Sequence, residues 1–207
     1  MNTLTQLAQL AQICVGYTYR GSLKNATEGD IAVIQMKDVN PEQLARPELL
    51  ARISLPKLLP RYLLQRGDLI FRARGLANQA WVVESEMPTI CIAPLLFIHI
   101  LQPEHLLPGY LQWFINLSST QAQIAHLAHG KAIRMITAQA LAQLSIPLPN
   151  IEAQHNIIHA DQMYRESQAL EAKLRATRVA YTEKALLHVV MTNPAVALPM
   201  PLAPHFA

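Results

Sequence analysis

Residues 151–191 read IEAQHNIIHADQMYRESQALEAKLRATRVAYTEKALLHVVM, and no Gly or Pro interrupts them. Ala, Leu, Glu, Lys, Arg and Gln dominate, the residues that give up least on entering a helix. The stretch predicts one continuous α-helix over 151–191. Forty residues at about 1.5 Å each reach roughly 60 Å, more than a compact domain of this chain can cover. Met163, Leu170, Leu174 and Tyr181 are spaced 7, 4 and 7 apart, a heptad-like seam. Ile157, Ile158, Tyr164, Leu186 and Leu187 widen the apolar stripe at its ends. The helix is therefore expected to project and to bury its seam against another helix.

Upstream of the helix the texture is mixed. Leu4, Leu7, Leu10 and Ile13 recur every three residues, which suits a short amphipathic helix over 3–13, with a leading strand as the open alternative. Ile31–Met36 is a β-rich run after the Glu28-Gly29-Asp30 turn. Four prolines between 40 and 66 exclude a long helix there. Leu69–Arg72 and Ala80–Glu84 predict two strands of a hairpin whose connection is basic and polar, with Arg72, Arg74, Gly75, Asn78 and Gln79. One or two further strands fall in 89–101, interrupted by Pro94. Pro108-Gly109 opens a helix through Trp113 and Phe114, read as core residues, and a second helix spans 120–127. Thr137 is placed to cap a helix over 138–144, and Ile146–Pro149 is an extended stop before the long helix. The expected fold class is α+β: a globular domain over 1–150 with a small twisted β-sheet and flanking helices, then a long projecting C-terminal α-helix over 151–191. A Pro-rich stretch over 192–207 follows, read as a flexible tail or as an arm that docks on a partner.

Composition limits the function classes. Of 207 residues, 51% are apolar and only 15% charged, against about 25% charged in an ordinary soluble domain. This excludes a disordered chain and suggests that a partner covers some apolar surface. The longest apolar run, Ile90–Leu101, is too short for a membrane span. No signal peptide is read in MNTLTQLAQLAQIC. Cys14 and Cys91 could pair in principle, but two buried free thiols are expected, which fits a cytoplasmic location. The net charge of +3 is unevenly placed: residues 1–80 carry ten Lys/Arg against six Asp/Glu, and residues 151–207 carry five against five. The basic first part suits either a nucleic-acid surface or a solvated face.

Motifs for catalysis are missing from the sequence. The seven glycines form neither a dinucleotide fingerprint nor a phosphate-cradling loop. His155 and His159 stand at i, i+4, but Asn156 occupies the place of the glutamate that a zinc hydrolase helix requires. They read as solvated or interfacial histidines, with no metal and no cofactor expected.

Three ordered segments resemble a known family: Gly16–Gly21 with Ile34–Val39; Gly67–Gly75; and Ile146–Gln154 leading into the long helix. Tyr110–Phe114 and Arg134–Ile136 fit the same order. Together they resemble the specificity subunit of Type I restriction–modification systems, over nearly the whole of 4–191. Full-length members carry two target-recognition domains and two long helices packed antiparallel. One domain and one helix, without internal repeat, imply a half-length specificity subunit that works as a homodimer on a bipartite, palindromic DNA site. The resemblance implies double-stranded DNA, an adenine DNA methyltransferase and, in some systems, a restriction subunit as partners, with recognition rather than catalysis as the role. The alternative is a stand-alone dimeric DNA-binding or scaffold protein of a related phage-defence system without a methylation partner. Candidate DNA contacts are Arg20, Lys37, Arg72, Arg74, Asn78, Lys131 and Arg134. The candidate dimerisation residues are Met163, Leu170, Leu174 and Tyr181.

Overall fold

The computed structural model describes residues 3–23, 28–40, 47–75, 78–127 and 135–192. It divides the chain into two compact units, Met1–His159 and Ala160–Ala207. The first opens with β1 (Thr3–Gln6), a single turn α1 (Leu7–Leu10) and β2 (Ala11–Val15). It continues through β3 (Ile31–Ile34), β4 (Ala51–Ile53), β5 (Leu69–Phe71), β6 (Ala80–Val82), β7 (Thr89–Cys91) and β8 (Leu96–Ile100). Helices α2 (Pro108–Asn116), α3 (Ser118–His126) and α4 (Ala138–Ala142) follow, then β9 (Ser145–Leu148). The last element, α5, runs from Ile151 to Thr192.

The described strands form three sheets rather than one: β1–β9, β2–β8–β5–β6, and β4–β3–β7. The four-stranded sheet is antiparallel throughout. In the three-stranded sheet β3 runs antiparallel to β4 and parallel to β7. Side chains alternate across the four-stranded sheet, as a pleated strand requires. Leu69, Phe71, Leu96 and Ile98 face a core shared with Tyr110, Leu111, Phe114 and Ile115 of α2. Ile70 and Phe97 face a second core with Ala32, Ile34 and Cys91 of the three-stranded sheet. Burial on both faces explains why β5 and β8 read as continuous apolar runs rather than as alternating ones.

Of the two readings for 3–13, the leading strand is observed and the helix is corrected to a single turn between two strands. Three-residue spacing does not distinguish a helix face from one turn flanked by strands. Leu7 and Leu10 are buried by the turn, whereas Leu4 is 69% exposed on β1. Tertiary pairing decides the outcome: β1 hydrogen-bonds β9, β2 bonds β8, and the Leu7 N–H donates to the Leu144 carbonyl at 2.9 Å. The hairpin reading holds, with β5 and β6 paired in register Leu69↔Val82 to Phe71↔Ala80. Thr137 Oγ1 accepts from the Ala140 N–H at 3.1 Å and caps α4 as expected. Phe114 is buried, and Trp113 packs half-buried against the same core. Both cysteines are free, Cys91 buried and Cys14 half-buried. At Gly29, φ is +141°, and an added Cβ would lie 2.3 Å from the Ile53 carbonyl carbon, so only glycine fits this close approach.

The start of α5 belongs to the first unit. Asn150 Oδ1 accepts from the Ala153 N–H at 2.8 Å, an N-cap, and Gln154 is fully buried. Ile157 and Ile158 pack half-buried against the larger core. From Gln162 to Thr192, in the second unit, the helix is exposed at every position. Its seam residues Met163, Leu170, Leu174 and Tyr181 are 50–75% exposed. Residues 193–207, which hold most of the Pro-rich stretch, lie outside the described residues.

Candidate nucleic-acid interface

The basic hairpin is held from three sides. Asn78 is buried, and its Nδ2 donates to the Arg72 carbonyl at 2.9 Å. The Arg72 N–H donates to the Gln79 carbonyl at 3.0 Å, which closes the neck of the turn. Gln121 of α3 clamps Asn78 from outside: its Oε1 accepts from the Asn78 N–H at 3.1 Å, and its Nε2 donates to the Asn78 carbonyl at 2.8 Å. Beyond Arg74 the chain meets a third segment, where the Ile136 N–H donates to the Ala73 carbonyl at 2.8 Å and Arg74 bridges Met135. Gly75, with φ +115°, makes the bend that follows.

The free edge of β6 is covered in the same manner. Asn116 Oδ1 accepts from the Ala80 N–H and its Nδ2 donates to the Ala80 carbonyl, both at 2.8 Å. Gln112 Oε1 accepts from the Val82 N–H at 2.7 Å. Helices α2 and α3 thus supply side-chain amides where another strand would bond. This satisfies backbone groups that would otherwise be open to stray pairing. The three amides were not legible in the sequence, where Gln and Asn on a helix read as solvated positions.

On this hairpin Arg74 is exposed and Arg72 half-exposed. Among the described residues neither forms an ion pair, and the same holds for Arg20 and Lys37. Within the described residues the two guanidiniums thus have no carboxylate partner, the state in which a guanidinium can take a phosphate oxygen. Asn78 stands differently from the arginines: it is buried, and its Nδ2 is engaged in holding the hairpin. Arg20 is exposed shortly after the Tyr17 bridge to Ile92, and Lys37 is exposed on a 3-10 turn over Met36–Asp38. Asp38 bonds back to the Gln35 N–H at 3.0 Å. Lys131 and Arg134 lie outside the described residues.

The sequence reading also missed a cleft of about 460 Å³ on the four-stranded sheet. It is lined by Gln12, Cys14, Arg61, Tyr62, Asp68 and His99, among others. Buried Asp68 accepts from the Gln65 N–H at 2.8 Å through Oδ2, and its Oδ1 lies 2.8 Å from His99 Nδ1. Asp68 had read only as a turn residue; the strand register places it beside His99, 31 positions away. Burial pushes the Cys14 thiol up, Asp68 adds to this, and Arg61 opposes it. That direction is opposite to what an activated thiolate nucleophile needs. Among the described residues no cluster of His, Cys, Asp and Glu is placed to hold a metal ion. None of the described helices is long and apolar enough to cross a membrane.

The fold, a mixed α/β unit that leads into a single long helix, is similar to about half of each of three solved chains from Type I restriction–modification systems. The chain is similar to the HsdS subunit from Thermoanaerobacter tengcongensis at TM-score 0.64 and 19% identity, covering 96% of this chain and 51% of that one. It is similar to the Type I S subunit from M. genitalium at TM-score 0.56 and 17% identity, covering 95% and 47%. A chain in a structure addressing complex assembly and conformational transition of a type I R-M system matches at TM-score 0.64 and 18% identity, covering 90% and 45%. The chain thus spans about half the length of each of these structures. No family model and no curated protein matches the sequence.

Proposed function

We propose that this chain is a half-length specificity subunit, which recognises DNA as a homodimer and directs an adenine methyltransferase to a bipartite site. The observation that carries this reading is the pairing of near-complete coverage of this chain with half coverage of its structural neighbours. One recognition unit and one helix are half of a two-unit subunit, and a second copy supplies the rest. The exposed seam on α5 supports the same conclusion, because an apolar stripe at heptad spacing is stable in water only when covered.

In this reading residues 1–150 contact DNA, and residues 151–191 set the spacing between two copies. The role is recognition rather than catalysis; the methyltransferase, with or without a restriction subunit, supplies the chemistry. Arg72 and Arg74 grip phosphates, with Asn78 holding their hairpin in shape. Arg20, Lys37, Lys131 and Arg134 extend the basic surface. Phosphate contacts fix register, and side chains at base edges specify sequence.

Replacing both Arg72 and Arg74 with Ala is expected to weaken binding to specific and unrelated duplexes alike. The slope of log affinity against log salt should fall by about 3.6, because the homodimer loses four arginine contacts at roughly 0.9 per phosphate. Fluorescence anisotropy over a range of salt concentrations measures it. An unchanged slope would remove these two arginines from the interface.

A further inference from the structure

From Phe71 to Arg74, and again from Asn78 to Ala80, burial alternates along the basic hairpin. Phe71, Ala73, Asn78 and Ala80 are buried, Arg72 is half-exposed, and Arg74 and Gln79 are exposed. Phe71, Ala73 and Ala80 belong to the larger core. Successive side chains of an extended chain point to opposite sides, so Arg72, Arg74 and Gln79 share the outward face. One step beyond the register pair Phe71↔Ala80, the Arg72 N–H donates to the Gln79 carbonyl at 3.0 Å. Arg72 and Gln79 therefore stand opposite each other, with Cβ atoms about 5 Å apart.

The side-chain amides around this rung are used differently. Asn78, Gln112, Asn116 and Gln121 all bond backbone groups of the hairpin. Two of them fix the neighbours of Gln79. Gln121 brackets Asn78 on its N–H and carbonyl, and Asn116 brackets Ala80 in the same way. Gln79 is the exception: among the described residues its side-chain amide has no hydrogen-bond partner. Its backbone is held on both sides, and its side chain points outward. A polar group offered from an ordered backbone loses less freedom when it binds.

The chemistry of the three outward side chains divides their work. A guanidinium is drawn to phosphate by charge, and each such contact releases a counterion. A neutral amide gains nothing from that term. Glutamine offers direction instead, an acceptor and a donor side by side. In the major groove adenine presents the matching pair, the N6 amino group as donor and N7 as acceptor. That groove is about 12 Å wide and admits a two-stranded ribbon.

We propose that Gln79 is a specificity-determining residue, which reads an adenine in each half of the site from the major groove while Arg72 opposite it holds a phosphate. This rests on the DNA-recognition reading and adds to it which side chain specifies a base, and which base. The phosphate contact of Arg72 fixes the register in which Gln79 meets its base pair.

Selection from a pool of random duplexes tests this, using the protein purified from its host with the subunits that accompany it there. Wild type is compared with Gln79→Ala and Gln79→Glu. Wild type is expected to select a motif with an A·T pair at one position of each half. Gln79→Ala should lose about tenfold in discrimination at that pair, the order that a bidentate contact supplies. Its preference at other positions and its salt slope should stay as in wild type. Gln79→Glu keeps the shape but can only accept, and should move the preference at the same position to cytosine, whose N4 donates. An unchanged preference in either variant would overturn the proposal and leave DNA recognition standing. So would a loss at a pair other than A·T, or a uniform loss over all sequences with a shallower salt slope in Gln79→Ala. A wild-type protein that selects no motif would instead remove the recognition reading, and this inference with it.

Discussion

Replacing Gln154 with Leu is expected to destabilise the globular unit by about 3 kcal/mol, a large fraction of the stability of an ordinary domain. Gln154 is fully buried, and its amide is bonded on both sides. Oε1 accepts from the Leu107 N–H at 2.9 Å, and Nε2 donates to the His105 carbonyl at 2.7 Å and the Pro149 carbonyl at 2.9 Å. One side chain at the start of α5 therefore joins the segment before α2 to the segment after β9. Leucine keeps the volume but leaves three backbone groups without these partners, at about 1–3 kcal/mol for each that stays dry. The lower end of that range gives the figure quoted, because some groups will recruit water. Trp81 and Trp113 both lie in the cores of this unit, so urea unfolding followed by tryptophan fluorescence reads the unit rather than the long helix. A loss below about 1 kcal/mol would show that the amide is not what secures the helix to the domain.

Replacing Leu170 and Leu174 together with Lys is expected to yield monomers in sedimentation and to lower affinity for the bipartite DNA site about 100-fold. Under two-fold symmetry the pair places four ammonium groups at the middle of the seam, where each would lose water opposite a like charge. DNA affinity falls with it because a dimer engages its second half-site at high effective concentration, whereas a monomer holds only one. Both residues are exposed in the single chain, so tryptophan fluorescence and the unfolding midpoint of the globular unit should stay unchanged. This separates the variant from Gln154→Leu. An unchanged dimer would place the interface elsewhere.

Much of this architecture was legible because some elements are determined locally. Without Gly or Pro over 151–191, nothing competes with the helix, and the structure extends it by only one residue. The β5–β6 hairpin was legible because apolar runs flank a glycine-punctuated basic turn. Residues 3–15 were not, since Leu4, Leu7 and Leu10 satisfy a helical spacing while this stretch pairs with segments nearly a hundred or more positions away. Three sheets took the place of one because pairing partners such as β3 and β7 are distant in sequence. In the candidate site, Arg72 and Arg74 were legible as a basic turn. The clamp by Gln112, Asn116 and Gln121, and the Asp68–His99 contact, depend on contacts between residues 30 or more positions apart and leave no local signal.

The central claim is that two copies of this half-length chain direct adenine methylation to a two-part site. Single-molecule methylation mapping of the host genome, before and after deletion of the gene, tests it most directly. The expected result is a methylated adenine in each half of a palindromic motif with a fixed spacer, lost on deletion and restored by the wild-type gene but not by the Leu170→Lys, Leu174→Lys variant. Methylation that is the same with and without the gene would contradict the claim.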